Sequence, residues 1–142
     1  MLTDHDISLV RASYALAVRH EQAVADLFYD RLFAVAPHLR ALFPADLAEQ
    51  KGKLMSMVGS AIGGLDDARF IPALKALGAR HAGYGVTMEH YAIAGDALLW
   101  TLQQVLGERF TLNFRSAWIK VYGIIAMTMV AGGAEAVMPK AA

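Results

Sequence analysis

Histidines are the side chains in this sequence best suited to bind a metal or move a proton near neutral pH, and they stand at His5, His20, His38, His81 and His90. No two lie four residues apart, so the H-x-x-x-H pair that offers zinc two imidazoles from one helix face is absent. Cysteine is absent too, which excludes disulfides, thiolate nucleophiles and zinc–thiolate centres. No phosphate-binding glycine loop, dinucleotide fingerprint or nucleophile elbow occurs. What remains is a set of single side chains. His81 lies in Leu77-Gly78-Ala79-Arg80-His81-Ala82-Gly83-Tyr84-Gly85-Val86, followed by Glu89-His90-Tyr91. On its own it reads either as a surface or core-edge imidazole or as a lone metal ligand. Tyr29, among Leu27, Phe28, Leu32 and Phe33, reads as a core aromatic or as a buried hydroxyl that needs a partner. Gln50 is either solvated in the first turn of a helix or faces inward with Leu54, four residues on and so on the same face.

Helices must position these side chains, because helical signals dominate and strand signals are nearly absent. Thr3 and Asp6 form a T-x-x-D start, followed by Ile7, Val10, Tyr14 and Val18 at helical spacing. A second helix reads from about Glu21 to Ala34. Pro37 suits the first turn of a short third one ending near Phe43-Pro44. Asp46 and Glu49 predict a D-x-x-E cap for a helix whose apolar face holds Leu54, Val58, Ala61 and Ile62 and which stops at Gly63-Gly64. The next spans about Asp67 to Ala82, with Pro72 early in it, before Gly83 and Gly85 break the chain. Thr87 caps a long helix to about Leu106, closed by Gly107, and Thr111 opens a final long one. About seven helices, no strands and no repeat predict an all-α domain over residues 1–142. Periodicity alone does not choose among all-helical folds.

Composition narrows the partners. The 13 basic and 13 acidic residues balance and form no basic patch, which argues against nucleic acid. Hydrophobic residues make up 56% of the chain and mean hydropathy is +0.38, which raises the question of a membrane. The longest apolar stretch, Val121 to Ala134, falls short of the ~20 residues a span requires. The opening Met-Leu-Thr-Asp-His-Asp is acidic where a signal peptide is basic. The expectation is a cytoplasmic protein with no membrane association, whose apolar excess surrounds a large buried apolar cofactor.

The block around His81 resembles the proximal region of bacterial globins, most closely the single-domain globins of the flavohaemoglobin lineage. The likeness continues through Leu27-Phe28-Tyr29, Arg40-Ala41-Leu42-Phe43, Gln50-Lys51-Gly52-Lys53-Leu54 and Ala117-Trp118-Ile119-Lys120-Val121-Tyr122-Gly123, in the family's order and spacing across nearly the whole chain. The resemblance implies a globin fold around haem b, with His81 binding iron through a neutral imidazole nitrogen. It implies that Phe43 packs flat on the porphyrin, that Leu54, Val86 and Tyr91 line it, and that Arg80 lies near the propionates. Tyr29 and Gln50 become the distal, catalytic pair, donating hydrogen bonds to bound gas. In flavohaemoglobins a tyrosine matching Tyr91 joins the histidine and a glutamate in a triad. Counting from Tyr122, that glutamate's position holds Gly133, and the nearest acid, Glu135, points about 200° around the helix from it.

Dioxygen, nitric oxide and carbon monoxide are the ligands this resemblance implies. The reaction it implies is conversion of nitric oxide and dioxygen to nitrate, which consumes reducing equivalents. No flavin- or nicotinamide-binding region is recognisable up to Ala142, so turnover is expected to depend on an external reductase. Oxygen storage, delivery or scavenging without required catalysis is the alternative.

Overall fold

Local chemistry sets where the helices begin. Thr3 Oγ1 accepts from Asp6 N at 3.1 Å while Asp6 Oδ2 accepts from Thr3 N at 2.9 Å, a reciprocal cap for α1 (Asp4–Ala17). The computed structural model describes residues 2–137 and continues with α2 (Glu21–Val35), α3 (Ala48–Gly63), α4 (Phe70–Gly83), α5 (Met88–Leu106) and α6 (Leu112–Val137). Thr87 caps α5 through His90, and Thr111 Oγ1 accepts from Phe114 N at the start of α6. Among the described residues there is no strand.

Three expectations about the elements need correction. The short third segment, Pro37–Leu42, is a 3-10 helix, so the seven expected segments are six α-helices and this tighter turn. Asp46 and Glu49 form no capping box at α3. Asp46 Oδ1 accepts from Ala48 N at 2.9 Å, and Glu49 turns to Lys53 one helical turn on. The helix expected from Asp67 begins at Phe70, because the Asp67 carboxylate takes the Arg69 backbone N–H and guanidinium and fixes a turn instead. Pro72 then falls in the first turn of α4, where a missing N–H costs nothing.

Two apolar clusters organise the interior. The larger joins Val10, Ala17, Val24, Leu102, Leu106, Trp118, Val121 and Met129 from α1, α2, α5 and α6. Inside it, the Trp118 indole donates to Ser13 Oγ at 2.7 Å, and Ser13 Oγ–H finds the Leu9 carbonyl at 2.8 Å, so a buried indole and a buried hydroxyl are both satisfied. The smaller gathers Phe28, Tyr29, Leu32, Leu39 and Ala97. The carbonyls of Ile62 and Gly63, left over at the C-terminal end of α3, accept from the Arg11 guanidinium, which also pairs with Asp66 at 2.9 Å.

At 26 residues α6 is long and apolar enough to cross a membrane by length and composition, which the shorter apolar stretch in the sequence had argued against. It packs on α1, α4 and α5 as the long core helix. Against α4 the backbones nearly touch: a Cβ on Gly78 would overlap the backbone of Met129, and one on Gly132 the backbone of Lys75. This glycine seam fixes the position of α4, which carries His81.

Candidate functional site

Between the two clusters lies a cavity of about 270 Å³ whose wall draws on both. Tyr29 and Leu32 enter from α2, Phe43 from the following extended residue, Gln50, Leu54 and Val58 from α3, and Leu77 and His81 from α4. Val86, His90, Tyr91 and Ala94 close one side, and Trp118, Tyr122, Ile125 and Met129 of α6 another.

On α4, His81 Nδ1–H donates to the Leu77 carbonyl one turn back, at 2.9 Å. That bond places a hydrogen on Nδ1, so Nε2 is the ring nitrogen without a protein partner in the cavity wall. The Tyr91 ring lies alongside the imidazole, with centroids 6.3 Å apart and planes 28° from parallel. Tyr91 has no carboxylate partner among the described residues. Its carbonyl accepts from the Tyr122 hydroxyl, and Gly133 faces α4, where a Cβ would stand 3.0 Å from that of Ala82. Glu135 is committed to Lys75 at 2.9 Å.

On the α2–α3 side, Gln50 Nε2 donates to Tyr29 Oη at 3.3 Å. The acceptor role leaves the phenolic hydrogen available to a third group. Tyr29 is 3% exposed, and burial raises its pKa above the ordinary value, an effect only partly offset by Gln50, so the phenol is neutral. Phe28 and Phe43 meet its ring edge-on at 5.1 and 5.6 Å, and Phe33 stacks on it at 5.9 Å, which fixes its direction.

The structure thus gathers Tyr29, Phe43, Gln50, Leu54, His81, Val86 and Tyr91 around one cavity. Arg80 is exposed and outside its wall. His90 and Tyr122 also line the cavity, and sequence spacing alone does not mark either as a pocket residue. The His90 ring closes the capping box of α5, a role the Thr87 spacing signals only for its backbone, and no sequence pattern marks Tyr122 as the donor to the Tyr91 carbonyl.

A family model described as Globin matches residues 26–129. The chain belongs to the globin family. It is similar to the flavohemoprotein of Bacillus subtilis (strain 168), 32% identical over 130 residues, which cover 89% of this chain and 33% of that protein. It is also similar to the neuroglobin of Danio rerio, 28% identical over 149 residues and 94% of each chain. Among solved structures, an engineered carbene transferase made from a protein assigned as a nitric oxide dioxygenase of Rhodothermus marinus superposes with a TM-score of 0.83 at 26% identity, over 95% of each chain. This globin spans about a third of the length of the flavohemoproteins it matches.

Membership in the family implies haem binding, and the wall described above fits that group. It is largely apolar and holds two imidazoles. His90 spends Nδ1 accepting from Thr87 N, whereas His81 spends Nδ1–H on Leu77 and keeps Nε2 for iron. No group of three or more metal-ligating side chains exists among the described residues to hold a bare ion.

Proposed function

We propose that this globin holds haem b through His81, binds dioxygen reversibly, and takes part in nitric oxide detoxification, forming nitrate with electrons from a separate reductase. The observation that carries the reading is the Gln50–Tyr29 hydrogen bond inside an apolar cavity that also contains His81. When bound, haem supplies a ferrous centre that takes up dioxygen and, with nitric oxide, yields nitrate and the ferric state.

The protein's own part is binding and orientation. His81 Nε2 would hold the haem iron, its direction set by the Nδ1–H bond to Leu77. The Tyr29 phenol, held by Gln50 and three aromatic neighbours, would donate a hydrogen bond to a partly negative oxygen of a ligand in the cavity. Leu54 and Val58 keep that side of the cavity apolar, so water competes poorly for the same donor. Arg80, exposed on the helix that carries His81, remains our candidate for the propionates at the rim, while Phe43, Val86 and Tyr91 pack the ring.

The 142 residues of this globin carry no dinucleotide fingerprint, so the proposed reaction draws its electrons from outside them. Rapid mixing of the oxygenated protein with nitric oxide tests the activity. One equivalent of nitrate per chain should form, followed by arrest in the ferric state. Turnover should continue only when NADH and a reductase are added together. Sustained turnover with NADH alone would contradict the external reductase. Absence of nitrate would leave oxygen storage, delivery or scavenging, which uses the same hydrogen bond for retention alone.

A further inference from the structure

Two side-chain cross-links join α2 to α3, and they are neighbours on both helices. Gln50 Nε2 donates to Tyr29 Oη at 3.3 Å. One residue later on α3 and about one turn earlier on α2, Lys51 Nζ donates to Asp26 Oδ1 at 2.8 Å. Asp26 is itself steadied on α2 by Gln22 Nε2 at 3.0 Å. The Lys51–Asp26 side chains are 25% and 44% exposed, whereas the Lys53–Glu49 pair on the same helix is 61% and 83% exposed.

At its start, the turn that carries Gln50 is held by Asp46, whose Oδ1 accepts from Ala48 N at 2.9 Å. The residue before α3 is Leu47, whose side chain makes no capping bond. Lys51 places a positive charge near the positive end of the helix, offset by Glu49 in the same turn and, across to α2, by Asp26. Gly52 follows and lowers helix propensity. The turn is also not wedged by packing: a Cβ on Gly52 would meet nothing within 4 Å. Beside it runs a cleft of about 380 Å³ with a mixed lining that includes Gln22, Ala25, Ala48, Lys51, Met55 and Ser56.

We propose that the Lys51–Asp26 ion pair positions the distal site, fixing the first turn of α3 against α2 and so setting the Gln50–Tyr29 hydrogen bond that aims the phenol at bound gas. The inference rests on the reading of Tyr29 and Gln50 as the gas-facing pair. Lys51 and Asp26 touch no ligand in this account; they are positioning residues.

The test reads the C–O stretching band of the ferrous carbon monoxide form by infrared spectroscopy, because that band responds to donors near the bound gas and not to stability. Lys51→Met and Asp26→Asn should move or broaden the band towards that of Gln50→Leu and speed dioxygen dissociation about two- to fivefold. The charge swap Asp26→Lys with Lys51→Asp should return both towards wild type. Lys53→Met, which breaks only the exposed pair on the same helix, should leave both unmoved. If Gln50→Leu and Tyr29→Phe shift the band while Lys51→Met and Asp26→Asn do not, the positioning role is overturned and the distal reading stands. If Gln50→Leu and Tyr29→Phe also leave it unmoved, the distal reading fails and the positioning role with it.

Discussion

At the scale of single residues, the site turns on which atoms are already engaged. His81 spends Nδ1–H on Leu77 and keeps Nε2, so His81→Ala should abolish stable haem retention, and added imidazole should partly restore coordination in the vacated space. Tyr29 accepts from Gln50 and keeps its hydrogen, so Tyr29→Phe should speed dioxygen dissociation about tenfold, the size of one hydrogen bond to a charged acceptor. Displacement of dioxygen by carbon monoxide in a stopped-flow instrument measures that rate. Because burial raises the Tyr29 pKa, the donor stays protonated, and the rate should be flat from neutral pH up to about 10. A rise in dissociation rate near pH 8 would contradict a phenol donor. His81 and Tyr29 were legible as sequence candidates because neighbouring residues in several blocks agreed with one family. Their hydrogen bonds were not, since Gln50 and Tyr29 lie 21 residues apart and only the crossing of α2 and α3 brings them together.

Among the elements, the α4–α6 seam constrains the proximal side most. Gly132→Ala pushes a methyl group into the Lys75 backbone and should cost about 1–3 kcal/mol or more in unfolding free energy. Gly123→Ala, on the same helix with nothing within 4 Å of its Cβ, should instead stabilise by about 0.5–1 kcal/mol. Denaturant titration of the two variants separates seam packing from helix propensity. Gly133→Glu tests the missing triad acid. Since position 133 faces Ala82 and Gly78, the new carboxylate should destabilise the α4–α6 contact without raising the iron–histidine stretching frequency in resonance Raman spectra. A higher frequency with stability intact would show that the carboxylate reaches Tyr91. Caps explain why some helix starts were legible and others were not. Thr3, Thr87 and Thr111 cap where their spacing says, whereas Asp46 and Asp67 bind nearby N–H groups that close turns. The seam could not be read at all, because a glycine in sequence gives no hint whether a backbone or open space lies beside it.

For the whole molecule, titration and haem loading are the informative observables. Burial raises the pKa values of Tyr14, Tyr29 and Tyr122, so above about pH 10 the native state holds protons that the unfolded chain releases, and stability falls as pH rises. Lys120, Lys51 and Arg11 hold Asp6, Asp26 and Asp66 below the usual carboxylate range. Below about pH 4 the unfolded chain therefore binds more protons, and stability falls as pH drops through those depressed values. Thermal melting should show a plateau between these limits, and a melting temperature that climbed above pH 10 would contradict the buried phenols. The all-helical architecture was legible from periodicity and caps, and the apolar excess anticipated an apolar pocket. Which helix supplies which wall depended on long-range packing that periodicity does not encode. The central claim is that His81 is the protein's bond to haem, and haem content with optical spectra of wild type and His81→Ala tests it most directly. Wild type should carry one haem per chain whose ferrous spectrum shifts on carbon monoxide binding, and His81→Ala should lose both the haem and the shift until imidazole is supplied. A His81→Ala protein with wild-type haem content and unchanged spectra would contradict the account.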